Sequence, residues 1–237
     1  AVLEHLDARL RSTDEIERLG ISPVYGPAPL WRPELAGSDA EDAYRLATLS
    51  SQRGVHALLG AGAPVPVGVV AGLAHTLAEI GHSVIVILAT HDADQGGDPG
   101  LSDVLEKGGK PQVVRHPVQT AEIRLLGAGT RPDHLPRLVH RSVFTDLVEE
   151  LRVTFDVVIL CGEAAWSSTG AAIARVSDRA VVVVRGGETQ EEDLVSAVQM
   201  IEEWEAELDG VLLTERLGGR GLWKRSTHGA DPEDLQA

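Results

Sequence analysis

LGAGAPVPVGVVAGLAHTLAEIGHSVIVIL, residues Leu59 to Leu88, reads as one βαβ unit. An apolar strand enters a glycine-rich turn, a helical segment follows, and a second apolar strand closes the unit. The layout is that of a phosphate loop, where successive backbone N–H groups and the positive end of a helix receive an anion. Such a loop adds a lysine for the β and γ phosphates and a Ser or Thr hydroxyl for Mg²⁺. Here the turn reads Ala63-Pro64-Val65-Pro66-Val67-Gly68. Pro64 and Pro66 have no N–H to offer, and Val67 and Gly68 have no hydroxyl. No Lys or Arg occurs between Arg53 and Lys107. Local chemistry therefore predicts a tight β–α connection that lacks the groups to hold a triphosphate.

The alternation continues on both sides of this unit. Strands are predicted at Val55–Leu59, Ser83–Ala89, Glu122–Leu126, Asp156–Cys161, Ala180–Val184 and Gly210–Thr214. Helices are predicted at Val67–Ile80, Leu101–Lys107, Arg141–Leu151, Thr169–Val176 and Thr189–Glu205. The segments VIVIL, VVIL and AVVVV are apolar at every position, as strands covered on both faces must be. The expected fold class is α/β: a mostly parallel sheet with helices on both faces, a three-layer α/β/α arrangement. Residues 1–38 are expected to form a helical connector, with helical pieces within residues 3–19 and the proline-rich ISPVYGPAPLWRPE running extended. Residues 39–215 form the α/β domain, opening with a short helix over DAEDAYRLATLSSQ. Residues 216–237 read as a disordered tail carrying a small basic cluster: Arg216, Arg220, Lys224 and Arg225 around Trp223.

Composition narrows the function classes. Hydrophobic residues make up 43% and charged residues 24%, the balance of a globular protein. Aromatics are only 3%, so the core is built from Val, Leu, Ile and Ala. A net charge of −15 repels nucleic-acid phosphates and anionic lipid, so no nucleic-acid partner is expected. The lone Cys161 excludes an internal disulfide and fits a reducing compartment.

Several motifs around the βαβ unit resemble the bacterial tyrosine kinases (BY-kinases) of capsule and exopolysaccharide synthesis, within the MinD/ParA-type P-loop ATPases. Anchored on Leu77-Ala78-Glu79-Ile80-Gly81, the family's G-x-G-K-[ST]-[ST] places its lysine on Pro66. Its two hydroxyls fall on Val67 and Gly68, and a helix asparagine falls on Gly72. The acidic motif after the second strand falls on Leu88-Ala89-Thr90. FDVVILCGEAA, Phe155–Ala165, resembles Y-D-x-V-I-I-D-T-P-P with Cys161 at the acidic position. DRAVVVVRGGET, Asp178–Thr189, resembles D-x-x-x-x-V-V-R-x-x-x-T. In DGVLLTE, Asp209–Glu215, Thr214 stands at the base-contacting asparagine, and GLSDVL, Gly100–Leu105, is similar to a recurrent family helix. The resemblance spans about residues 1–215 and implies a P-loop NTPase-like scaffold with degenerate nucleotide motifs. It thus implies a pseudokinase or pseudo-ATPase with no catalytic, metal or cofactor residues.

The N-terminal LDARLRSTDEIERLGISPVYGPAP resembles the connector after the second membrane helix of polysaccharide chain-length determinant proteins. EDAYRLATL resembles the helix that carries E-x-x-R-x-x-R at a subunit interface, which here gives Asp42, Arg45 and Thr48. These resemblances imply a scaffold or regulator of exopolysaccharide, capsule or lipopolysaccharide biosynthesis and export. It would sit at the cytoplasmic face of the inner membrane, tethered through an upstream segment. Its partners would be assembly-system proteins such as a kinase or polymerase, and further copies of itself. Two alternatives stand beside this reading. One is a divergent ATPase or tyrosine kinase using Asp92 or Asp94, with Arg185 as a cation supplied from afar. The other is a MinD/ParA-like positioning scaffold.

Other signals have plain structural readings. The nine histidines are scattered, and His91-Asp92-x-Asp94 is the best metal-like spacing among them. Cys161 at a strand end reads as a small buried hydrophobe. Ser167-Ser168-Thr169 reads as a helix N-cap rather than a nucleophile.

Overall fold

The computed structural model describes residues 8–30, 44, 53–90, 98–108, 114–118 and 121–215. Eight strands form one sheet: β1 (Val24–Ala28), β2 (Gly54–Gly60), β3 (Val84–Leu88), β4 (Val114–Val118), β5 (Ala121–Leu126), β6 (Val157–Ala164), β7 (Arg179–Arg185) and β8 (Glu207–Thr214). Seven α-helices are described: α1 (Thr13–Glu17), α2 (Val67–Glu79), α3 (Leu101–Lys107), α4 (Leu135–Leu138), α5 (Ser142–Thr154), α6 (Ser168–Val176) and α7 (Glu191–Glu203). The strand order is β1-β8-β7-β2-β6-β3-β5-β4, parallel throughout except for the antiparallel β4–β5 pair.

The all-apolar segments occupy the middle of this sheet. Every residue of β3 is buried, as are Val55–Gly60 of β2 and Ala180–Val184 of β7. A strand buried on both faces cannot alternate polar and apolar residues, and Val and Ile suit the pleated surface. From β2 the chain steps through α2 to β3, passing over β6. From β6 it steps through α6 to β7, passing back over β2. Opposite steps with right-handed crossovers put α2 and α6 on opposite faces of the sheet. They also open a crevice at the C-terminal ends of β2 and β6, where α/β sheets bind ligands.

The α/β/α expectation therefore holds, with differences at the edges. The proline-rich connector was expected only to run extended, yet Val24–Ala28 pairs parallel with β8 and becomes an edge strand. Val114–Val118, read as no element, is the opposite edge. Pro27 in β1 and Pro117 in β4 disguise both strands, because proline removes a ladder donor and is tolerated only at an edge. It also blunts those edges against pairing with other chains.

Residues 8–10, expected to be helical, instead run beside the β7–α7 loop. Glu191 donates its N–H to Ala8, Leu10 donates to Thr189, and Gly187 donates to Leu10. Backbone groups of that loop thus outcompeted local helix bonding. The predicted capping box is present at α1, where Ser12 accepts from Glu15 N and Glu15 accepts from Ser12 N. Of the helix predicted over DAEDAYRLATLSSQ only Tyr44 is described, and it is helical. No helix among the described residues is long and apolar enough to cross a membrane.

Candidate functional site

The crevice above β2 and β6 is bordered by the turn that follows β2. After Gly60 the turn doubles back so tightly that a Cβ there would overlap the Ala63 carbonyl. Ala61 donates its N–H to Val183 at 2.9 Å, and Ala165 donates to the Gly60 carbonyl at 2.9 Å. Val65 is buried, and Pro66 is the N-cap of α2 with no side-chain capping bond.

Two residues of the DRAVVVVRGGET motif hold the turn from the C-terminal end of β7. Arg185 Nη2 donates to the Pro64 carbonyl at 2.6 Å. Thr189 Oγ1 donates to the Ala61 carbonyl at 3.2 Å and accepts from Arg185 N at 2.9 Å. The motif's first residue grips the opposite end of the same strand: Asp178 accepts the Val55 N–H at 2.8 Å and Arg152 Nη1 at 2.9 Å. One sequence motif thus clamps β2 at both ends. The turn presents carbonyls to a protein cation, whereas a phosphate loop presents N–H groups to an anion. A carboxylate is also present, since a Cβ at Gly62 (φ +88°) would lie 2.8 Å from Asp193 Oδ2 of α7. That negative charge opposes a phosphate at this point.

The positions to which the resemblance assigns acidic residues are apolar or neutral. Leu88, Ala89 and Thr90 are buried. Cys161 is paired in register with Leu58 and Leu88 and is fully buried. Burial pushes its thiol up to about 12, so it stays protonated and inert, as a small core residue would. Thr214, at the end of β8, is buried, and its hydroxyl has no hydrogen-bond partner among the described residues. No group of His, Cys, Asp and Glu among the described residues is arranged to hold a metal ion.

Gly72, where the resemblance implies a helix asparagine, packs against an aromatic ring. Its missing Cβ makes room for the Tyr44 ring, whose Cζ lies 2.6 Å from where that atom would be. Tyr44 is 1% exposed and donates its hydroxyl to the Pro29 carbonyl. Tyr44 is therefore docked on α2 through its ring. Asp42, Arg45 and Thr48, the expected interface residues, lie outside the described residues. So do His91, Asp92 and Asp94, and the basic cluster of the tail. Arg185 does reach the turn, as the enzymatic alternative requires, but its Nη2 is bonded to Pro64.

Nearby polar clusters are satisfied internally. Ser167 caps α6 by accepting from Gly170 N at 2.9 Å. The Ser168 hydroxyl lies 2.6 Å from His140 Nε2 and 3.3 Å from the Pro136 carbonyl. No carboxylate among the described residues orients His140, so a triad is not formed. Burial pushes Asp103 up, but bonds from Thr130 Oγ1, Thr130 N, Gly100 N and Lys107 outweigh it and hold the carboxyl well below its ordinary range. The His134 hydrogen bond lowers Glu106, with Arg131 and Arg137 adding to it. These two carboxylates tie α3 to the segment after β5.

Trp166, just after β6, is 41% exposed and faces α7 across a groove of about 480 Å³. Neither this residue nor Asp193 stood out in the sequence, because each matters through a neighbour distant along the chain.

No family model matches the chain, and no curated protein matches it. Solved structures do. It superposes on the BceF tyrosine kinase domain with a TM-score of 0.66 at 21% identity, covering 87% of this chain and 99% of that one. The kinase domain of the Escherichia coli tyrosine kinase ETK gives a TM-score of 0.71 at 17% identity, covering 91% and 98%. The septum site-determining protein MinD of Pyrococcus horikoshii, solved with Mg-ADP, gives 0.52 at 16% identity, covering 67% and 69%. The chain therefore has the α/β fold shared by tyrosine kinase domains of this type and MinD-type P-loop proteins.

Proposed function

We propose that this domain is a non-catalytic scaffold or regulator built on a kinase-like fold, working in bacterial exopolysaccharide, capsule or lipopolysaccharide biosynthesis and export. The observation that carries this reading is the turn after β2. Its carbonyls are held by Arg185 and Thr189, Asp193 lies against it, and no lysine or hydroxyl stands where a nucleotide would need one. A turn braced from inside keeps its shape without nucleotide. The apolar sheet core likewise needs no ligand to fold.

The resemblance of the N-terminal segment to chain-length determinant connectors supports a place at the cytoplasmic face of the inner membrane. The partners are then assembly-system proteins, a kinase or polymerase among them, or further copies of this chain. Asp42, Arg45 and Thr48 are the proposed contact positions, and Arg45→Glu should weaken that assembly.

Binding to the folded state stabilises it by RT ln(1 + [L]/Kd), about 2.7 kcal/mol at a hundredfold excess over Kd. Millimolar ATP with Mg²⁺ should leave the melting temperature of this chain unchanged, and a clear rise would refute the scaffold reading. Pro66→Lys alone should not produce ATP hydrolysis, because phosphoryl transfer also needs a metal site and Val67, Leu88, Thr90 and Cys161 supply none.

The second reading, a divergent ATPase or kinase, is favoured by one observation: Arg185 is a cation at the turn with its side chain 24% exposed. Nucleotide-dependent loss of the Arg185–Pro64 contact, seen as raised hydrogen exchange at residues 61–66, would support it.

A further inference from the structure

The groove between Trp166 and α7 adjoins the turn after β2 through Asp193 and has its own chemistry. One wall is a face of α7 carrying Glu192, Ser196, Met200 and Glu203, spaced so that they line one side of the helix. The other wall is Trp166, an exposed indole among polar neighbours. Helix α7 reads EEDLVSAVQMIEE, with Glu191, Glu192, Asp193, Glu202 and Glu203 and no basic residue. None of these five acids is in an ion pair with another described residue.

We propose that this groove docks the chain's own basic segment, residues 216–225. Three observations converge on that occupant. The segment carries Arg216, Arg220, Lys224 and Arg225 around Trp223, within a chain of net charge −15. Charge complementarity therefore selects it over most of the chain's own surface. The described chain ends in the right place: the Thr214 carbonyl at the end of β8 accepts from Gly186 N at 3.2 Å, in the loop that leads into α7. And the segment is long enough. Ten extended residues reach about 33 Å, whereas the 13 residues of α7 span about 20 Å. In this arrangement the guanidinium and ammonium groups meet Glu192 and Glu203. A cation rests on the Trp166 face, and Trp223 packs against the Met200 thioether.

The test is zero-length carbodiimide crosslinking of the full chain, with Lys224 as reporter. The reagent activates a carboxylate, the Lys224 amine displaces it to form an amide, and the reagent leaves as a urea. The crosslink should join Lys224 to Glu192, Asp193 or Glu203 within one molecule. Its yield should fall about three- to tenfold in Arg220→Ser/Arg225→Ser, which removes two ion pairs and keeps the reporter. It should fall similarly in Trp166→Ser and in high salt. Crosslinks scattered over unrelated acids, or a yield untouched by these variants, would overturn the proposal. So would crosslinks confined to dimers, which would mean that the groove receives the segment of a second copy.

Discussion

Replacing Arg185 with Met tests whether the turn after β2 is braced by protein rather than by nucleotide. Methionine keeps much of the side-chain length and its apolar packing but removes every side-chain donor, leaving the backbone N–H bond to Thr189 in place. The Nη2 bond to the Pro64 carbonyl, 2.6 Å long, disappears. A hydrogen bond from a charged donor contributes about 1.5–3 kcal/mol. Because the Arg185 side chain is 24% exposed, water replaces part of the lost contact and the lower half of that range applies. The ion pair with Glu188, 3.6 Å long and facing solvent, adds at most about 1 kcal/mol. The sum is about 2 kcal/mol. In a chain of this size each kcal/mol moves the melting temperature by about 2–4 °C, so a drop of about 4–8 °C is expected. Thermal unfolding followed by calorimetry at neutral pH measures it, with wild type and variant each scanned with and without ATP and Mg²⁺. The drop should be the same in both conditions. An unchanged melting temperature would show that the Arg185 contact braces nothing. A drop fully rescued by nucleotide would show that the turn is a working phosphate site.

Two further outcomes follow from the packing and the ionised groups. Gly72→Ala pushes a Cβ to within 2.6–2.8 Å of the Tyr44 ring and should destabilise by about 1–3 kcal/mol; pairing it with Tyr44→Leu should recover part of that loss, and a double-mutant cycle by denaturant unfolding measures the coupling. Asp103 is held below its ordinary range in the folded chain, so its stabilisation is present above the carboxylate range and is lost as pH falls through the folded value. Asp103→Asn should therefore lower stability at neutral pH and flatten its decline in acid, and a gap from wild type that stays constant down to acidic pH would contradict the assignment.

The central strands and the four longer helices were legible because their signals are local. A run such as VIVIL needs no knowledge of its neighbours to be read as a doubly covered strand. The turn's inability to offer a lysine, a hydroxyl or two of its N–H groups is likewise written in Pro64, Pro66, Val67 and Gly68. What takes the place of those groups is not. Arg185 lies 121 residues from Pro64, and Thr189 lies 128 from Ala61. Gly72 is small because of a tyrosine near the start of the chain, and Asp193 faces Gly62 from the helix after β7. Edge strands β1 and β4 were hidden because proline reads as a loop wherever the partner strand is unknown. The sequence by itself determined the layers, the apolar core and the lack of a lysine or hydroxyl in the turn after β2, since each depends on residue type within a few positions. Only the tertiary structure decided which distant side chains brace the turn, which strands end the sheet and where an acidic groove opens. Those contacts depend on how the crossovers bring remote segments together, and no periodicity within one segment encodes that.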